Sequence, residues 1–363
     1  MTDNVDDPTI SAQSRVAKAS MADVAREAGV SISAVSLVAN GRDGVSTATR
    51  RTILQVMQRL GYPIRSVGHD LKLLSLLIER LPLPVLSDVF YAEVIAGIQA
   101  EAQRLGYAVI LQIYGEEFSG EDDVLHQLQQ RGVLGILVAA GGDVGDCMIE
   151  HLAATGLPVV LVETLVRGDK FHCVLADNVD AGYLATRHLV QLGHRRIAAL
   201  PGPAKYSSLV DRLRGYYAAL AEAGLASRPE YLPAPQSGSP KKGYLQMKQL
   251  LDLAEPPTAV FAVSDKSAFG ALEAVRERGL VVPDDVAIVS VDNVAESAHT
   301  DPPLTTVHVP KKEIGALAAR RLHELLTGGN APPTKTLLYS ELIVRESCGA
   351  APGAVAERLP IGI

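Results

Sequence analysis

From Met21 the chain opens with three short apolar stripes, and a longer alternation of apolar runs and amphipathic stretches follows. Ala22, Val24, Ala25 and Ala28 repeat at helical spacing as far as Gly29, which supplies a tight turn. Ser31 suits the N-cap of a second helix, which turns Val35 and Val38 inward and closes at Asn40-Gly41. A third begins at Ser46, where Ile53, Val56, Met57 and Leu60 follow i, i+3, i+4, i+7 until Gly61-Tyr62-Pro63 stops it. The first 19 residues are polar and without periodicity, which predicts a flexible tail, and IRSVGHDLK at 64–72 is too polar for the helical core and reads as a linker.

Beyond the linker the pattern changes. Strand-like runs begin at Leu73, Tyr107, Gly135, Pro158, Cys173, Arg196, Thr258, Val286 and Thr305, with helical patterns between most of them, such as Ala181 to Leu192 and Leu209 to Ala223. Continuous Val/Ile/Leu runs separated by helices predict parallel sheets buried on both faces. That stretch is long for one open sheet, so the expectation is an α/β body of two similar lobes, with ligands at the carboxyl ends of the strands in the cleft between them.

Composition narrows the function classes. The chain has 363 residues, 47% of them hydrophobic and 21% charged, which excludes a disordered or fibrous protein. Its net charge of −7 argues, taken whole, against a protein that coats nucleic acid. The charge is unevenly placed, however: residues 13–72 carry nine Lys/Arg against four Asp/Glu, a local +5, residues 1–12 carry −3, and the remainder −9. A basic segment on an acidic body hints at nucleic-acid contact. Three cysteines without C-x-x-C spacing, a beginning MTDNVDDPTI that lacks a signal-peptide pattern and the absence of a long apolar run predict a reduced, cytoplasmic protein without a membrane span.

The segment MADVAREAGVSISAVSLVANG has the helix, glycine-containing turn and second helix of a helix-turn-helix. The candidate DNA-reading residues are Ser31, Ile32, Ser33, Ser36, Leu37 and Asn40, with Arg26, Arg42, Arg50 and Arg51 placed to neutralise phosphates. A helical oligomerisation domain with a solvated basic face is the competing reading, and turn, caps and local charge favour the first.

In the body, Asp177, Ser264 and Asp292 each end a strand-like run, and Arg212 in RLRGY offers a planar fork of donors after a long loop. An Asp facing an Arg in a cleft suits vicinal hydroxyls. Tyr91, beside Phe90, could stack on a sugar face, although Phe90 suits the core better, and Asp265 suits the cap of the helix Lys266 to Arg278. No G-x-G-x-x-G after a strand, G-x-x-x-x-G-K-[ST], G-x-S-x-G or H-E-x-x-H is present, and His172-Cys173 suits a structural pair, so neither catalysis nor a metal or other cofactor is expected.

DVAREAGVS, AVSLVANG, VSTATRRTILQVMQRLGY, ADNVDAGYLATRHLVQLGHRRIA, RLRGYYAAL, PTAVFAVSD, VPDDVAIVSVDN, PPLTTV and LIVRES together resemble the lactose-repressor family of bacterial transcription regulators, in that family's order from about residue 21 to 348. The resemblance implies an all-α helix-turn-helix DNA-binding domain over 20–63, a hinge over 64–72, a two-lobed effector-binding and dimerisation domain resembling periplasmic sugar-binding proteins over 73–348, and a tail over 349–363. It implies a homodimer on a near-palindromic operator, with pairing into a tetramer left open. It also implies a small-molecule effector held by Arg212 and Asp292, and a leucine wedge in the minor groove, by position Leu71. The chain departs from the family at Ala34 and Leu37, where Thr and Arg are usual, so its operator should differ from the commonest one. It departs again at Ser66, Gly68, His69 and Asp70, which suit a weaker, conditional hinge helix or a plain flexible linker equally. APQSGSPKKGY lacks the aromatic of purine-responsive members, which favours a sugar-like effector. A periplasmic-type binding protein without DNA regulation is the alternative, and the added headpiece argues against it.

Overall fold

Two units of the chain, 1–71 and 72–363, are each internally compact. The computed structural model describes residues 19–39, 44–62, 72–79, 88–114, 128, 131–139, 146–164, 170–235, 242–329 and 331–350. The expectations placed on the tail 1–18, on Asn40, Gly41 and Arg42, on Ser66, Gly68, His69, Asp70 and Leu71, and on 351–363 lie outside the described residues.

In the first unit Ser20 Oγ accepts from the Asp23 N–H at 3.3 Å and the Asp23 carboxylate accepts from the Ser20 N–H at 3.0 Å, so two otherwise orphaned donors are met at the start of α1 (Met21–Ala28). Gly29 takes φ 66°, the left-handed conformation that ends the helix in one residue. Ser31 Oγ accepts from the Ala34 N–H at 3.1 Å and starts α2 (Ile32–Ala39), and Ser46 caps α3 (Thr47–Arg59) in the same way. Val24, Val35, Ile53 and Met57 are wholly buried between the three helices, and an Arg59–Glu27 ion pair joins α3 to α1.

The second unit holds two sheets. The first contains β1 (Lys72–Glu79), β2 (Tyr107–Tyr114), β3 (Val133–Ala139), β4 (Val159–Val162), β5 (His172–Ala176) and β10 (Lys335–Leu338), in the order β10-β5-β4-β3-β1-β2, all parallel. The second contains β6 (Ile197–Leu200), β7 (Ala259–Ala262), β8 (Ala287–Asp292), β9 (Thr305–His308) and β11 (Glu341–Ile343), in the order β11-β9-β8-β7-β6, parallel except for β11. The chain passes between sheets three times: after β5, after β9 and after β10. Lys72, read from the sequence as linker, is the first residue of β1. Nine strands were legible as apolar runs. β10 and β11 were not, because both lie at sheet edges and carry exposed positions such as Lys335, Leu337 and Glu341.

Helices cover the sheets in pairs. α4 (Val89–Arg104) lies against α10 (Lys311–Leu326) in the first lobe, α6 (Asn178–Gln191) against α7 (Ser207–Glu222) on one face of the second sheet, and α8 (Lys242–Leu251) against α9 (Asp265–Glu277) on its other face; α5 (Asp146–Ala154) follows β3. Contact in the first two pairs is backbone to backbone. A β-carbon on Gly97 would collide with the Lys312 carbonyl oxygen and one on Gly315 with that of Val94, while Gly182 meets the Arg212 carbonyl and Gly215 that of Val179. In all four cases the carbonyl belongs to the residue three before the partner helix's own glycine. The sequence repeats accordingly, VIAG (94–97) matching VDAG (179–182) and KEIG (312–315) matching RLRG (212–215). Among the described residues no helix is long and apolar enough to cross a membrane.

Candidate effector site and DNA-reading helix

The close approach of α6 and α7 is what places Arg212. It lies in the second turn of α7, is 3% exposed, and spends three donor contacts within the protein: Nε donates to Asn178 Oδ1 at 2.8 Å, and Nη1 to the Val263 carbonyl at 2.8 Å and to Asp292 Oδ1 at 2.7 Å. Asn178 opens α6, Val263 follows β7 and Asp292 ends β8, so the carboxyl ends of three strands converge on one guanidinium. Among the described residues neither Arg212 Nη2 nor Asp292 Oδ2 has a hydrogen-bond partner. These are a donor and an acceptor side by side.

Asp292 and its successor Asn293 both take left-handed backbone conformations, φ 126° and 52°. The turn is held from below. Asp265 accepts from the Val294 N–H at 2.8 Å, the Ser290 hydroxyl at 2.5 Å and the Thr306 hydroxyl at 2.6 Å, and Arg345 donates to Asn293 Oδ1 at 2.7 Å. Asp265 is therefore not the helix cap expected of it. Ser264 caps α9, accepting from the Ser267 N–H at 3.3 Å, and the Asp265 carboxyl points into the sheet, where burial and then the charge of Asp292 push it up to about 6.

Two more groups join the cluster that sequence reading passed over. Glu163, at the end of β4 with φ 50°, is buried and accepts from the Ala176 N–H; burial pushes its carboxyl above the usual range. Asp88 caps α4, accepting from the Phe90 N–H at 3.2 Å; burial raises it also, and the nearby Asp292 charge adds to the shift. The rule that ligands meet strand carboxyl ends would have found Glu163, since it closes the run PVVLVE, but no motif marks it.

Asp177 caps α6, accepting from the Asp180 N–H at 3.0 Å, and with Glu163, Asn178, Ser207, Ser208 and Asp211 borders a pocket of about 60 Å³. Tyr91 is buried in the core of the first lobe, edge-on to the half-buried Phe90 at 5.4 Å between ring centres. His172 is structural, its Nδ1 lying 3.0 Å from Thr334 Oγ1. The structure thus brings Arg212 and Asp292 together, sets Ser264 and Asp177 at helix caps next in the chain to Val263 and Asn178, which accept from Arg212, and places Tyr91 in the core.

Residues 20–63 match the family model described as bacterial regulatory proteins, lacI family, and residues 186–348 match a periplasmic binding protein-like domain. The ribose operon repressor of Haemophilus influenzae is 33% identical over 91% of this chain and 98% of its own length. The chain belongs to the lacI family of bacterial regulators. As in the family, it is a DNA-binding transcriptional regulator with a helix-turn-helix headpiece and a two-lobed body. The Lac repressor dimer bound to operator and the anti-inducer ONPF superposes with a TM-score of 0.73 at 27% identity, over 92% of this chain and 99% of that one. A complex of the transcriptional regulator CelR with cellobiose gives 0.70 at 31% identity, over 91% and 99%.

In the lacI-family headpiece the second helix is the reading element, and here α2 exposes Ser31, Ile32 and Ser33 at its start, with Ser36 and Leu37 half-buried and Val35 and Val38 turned into the core. Ile32 is 55% exposed, an apolar side chain offered to solvent at the N-terminal turn of α2.

Proposed function

We propose that this regulator reads a near-palindromic operator as a homodimer through Ser31, Ile32, Ser33, Ser36 and Leu37, and that a neutral, polyhydroxylated effector at Arg212 and Asp292 controls it. The observation that carries the effector reading is the buried Arg212–Asp292 pair with Nη2 and Oδ2 left over, because adjacent hydroxyls of a sugar accept from one and donate to the other. The Arg212 charge is already met by Asp292, so an anionic effector would find that cation taken, while a hydroxyl-rich neutral one needs only a donor and an acceptor. The names of two relatives, a ribose repressor and a cellobiose-bound regulator, support a sugar. No catalytic step is part of this reading, and the place of action is the cytoplasm, where operator DNA lies.

The test is selection of bound sequences from random DNA by the purified chain, with and without a panel of neutral sugars and their phosphates. Asp292→Asn keeps volume and an oxygen that accepts from Arg212, but it takes the counter-charge from the buried guanidinium, at a stability cost of up to about 3–5 kcal/mol. It should reduce the effector response about tenfold or more, a loss of roughly 1.4 kcal/mol, with operator affinity in the absence of sugar kept. A normal response in Asp292→Asn and Arg212→Ala would place the effector elsewhere.

A further inference from the structure

Lys311 is wholly buried, yet it stands at the first position of an otherwise small and apolar stripe on α10, where Ile314, Gly315, Ala318, Ala319 and Leu322 are buried after it. Burying an ammonium is costly unless all three of its donors find partners. Here they do: Nζ donates to the Asp292 carbonyl at 2.6 Å, lies 3.4 Å from that of Val309 and 3.5 Å from that of Asn293, and pairs with Glu93 of α4 at 3.5 Å. The two carbonyls of the left-handed turn converge on one cation. That cation belongs to a helix of the first lobe, whereas the turn ends β8 in the second.

We propose that Lys311 is a positioning residue for the effector site: it fixes the Asp292–Asn293 turn from the opposite lobe and so aims the Asp292 carboxylate at Arg212. The argument rests on the Arg212–Asp292 reading for its functional consequence and on the turn geometry alone for its structural one. An ordinary residue resists φ 126°, and without the cation two adjacent carbonyls pointing the same way lose the partner that compensates for that strain. The Gly97 and Gly315 contacts keep α4 against α10, so Glu93 and Lys311, one turn before each glycine, meet at the same end of the pair. A shift of α10 relative to β8 therefore breaks the Lys311 contacts and frees Asp292. Closure of the cleft and the packing of the first-lobe helix pair become one event, in which each can bias the other.

The experiment compares amide hydrogen exchange in the full-length wild type, Lys311→Met, Lys311→Arg and Glu93→Gln. Lys311→Met should speed exchange of the segment 292–296 about tenfold or more, with β7 unchanged; Lys311→Arg should recover most of the protection, and Glu93→Gln should give a smaller rise, about threefold, at the same segment. Wild-type exchange at 292–296 in Lys311→Met, or an equal rise throughout the chain, would overturn the proposal, and Glu93→Gln decides the same question should Lys311→Met fail to fold. A second arm uses D-ribose and cellobiose in operator binding: Lys311→Met should weaken the response to whichever acts on wild type about tenfold, with sugar-free operator affinity kept. An unchanged response with a loosened turn would overturn the positioning role. Absence of any response in wild type would count against the two sugars and the effector reading, while the exchange result still decides the turn.

Discussion

A buried ion pair rarely stabilises a fold better than apolar side chains of the same volume would, because both charges must leave water. Arg212 and Asp292, buried at the meeting point of three strand ends, are therefore better understood through what they hold than through stability. Both were legible in the sequence, since RLRGY and the strand-ending VDN place a donor fork and a carboxylate at the mouth of an α/β cleft. Glu163 and Lys311 were not. Glu163 closes the apolar run that begins at Pro158 but no motif singles it out, and Lys311 sits in the charged stretch PKKE, where only the apolar stripe that follows shows that it points inward. Asp265 yields a pH prediction with a definite sign. Its folded pKa, about 6, lies above its ordinary 3.8, so its contribution is fully present below pH 3.8 and is lost as pH rises through 6. Wild type should lose roughly 2–3 kcal/mol relative to Asp265→Asn between pH 4 and pH 7, read from urea midpoints at each pH. Parallel curves would mean that the carboxyl ionises normally in the fold.

The helix pair is the unit from which each lobe is assembled, and glycine sets its spacing. Gly97→Ala pushes a methyl group into the Lys312 carbonyl, so it should destabilise by about 1–3 kcal/mol or more, and thermal unfolding should show a midpoint several degrees lower. Gly182→Ala should do the same in the other lobe, with the added effect of moving Arg212. Unchanged midpoints would mean the helices can part without cost. The VIAG/VDAG and KEIG/RLRG repeats are plain once the crossings are seen, but four residues recurring at uneven intervals carry too little signal to be read beforehand. The three headpiece helices and nine strands were legible because each buries a regular stripe or run. At α2 the apolar Ile32 faces outward, so Ile32→Ala should leave stability within about 0.5 kcal/mol and weaken operator binding; the pair of measurements is chemical unfolding and fluorescence anisotropy on labelled operator.

For the whole molecule, the charge distribution divides the labour. Residues 13–72 carry +5 on a chain whose net charge is −7, so attraction to phosphate is confined to the headpiece and hinge while the acidic remainder discourages indiscriminate coating of DNA. Binding should accordingly weaken with salt, log affinity falling by about 0.9 per phosphate neutralised for each unit of log salt. Control then comes from the body, where an effector shifts the equilibrium only by its differential affinity for the two arrangements of the lobes. The most direct test of this account is operator affinity of the full-length chain measured by anisotropy across salt and across the sugar panel, in wild type and Asp292→Asn side by side. The account predicts salt-dependent binding in both proteins and a sugar-dependent shift in wild type that Asp292→Asn loses. Binding that ignores salt, or a sugar response that survives in Asp292→Asn, would contradict it.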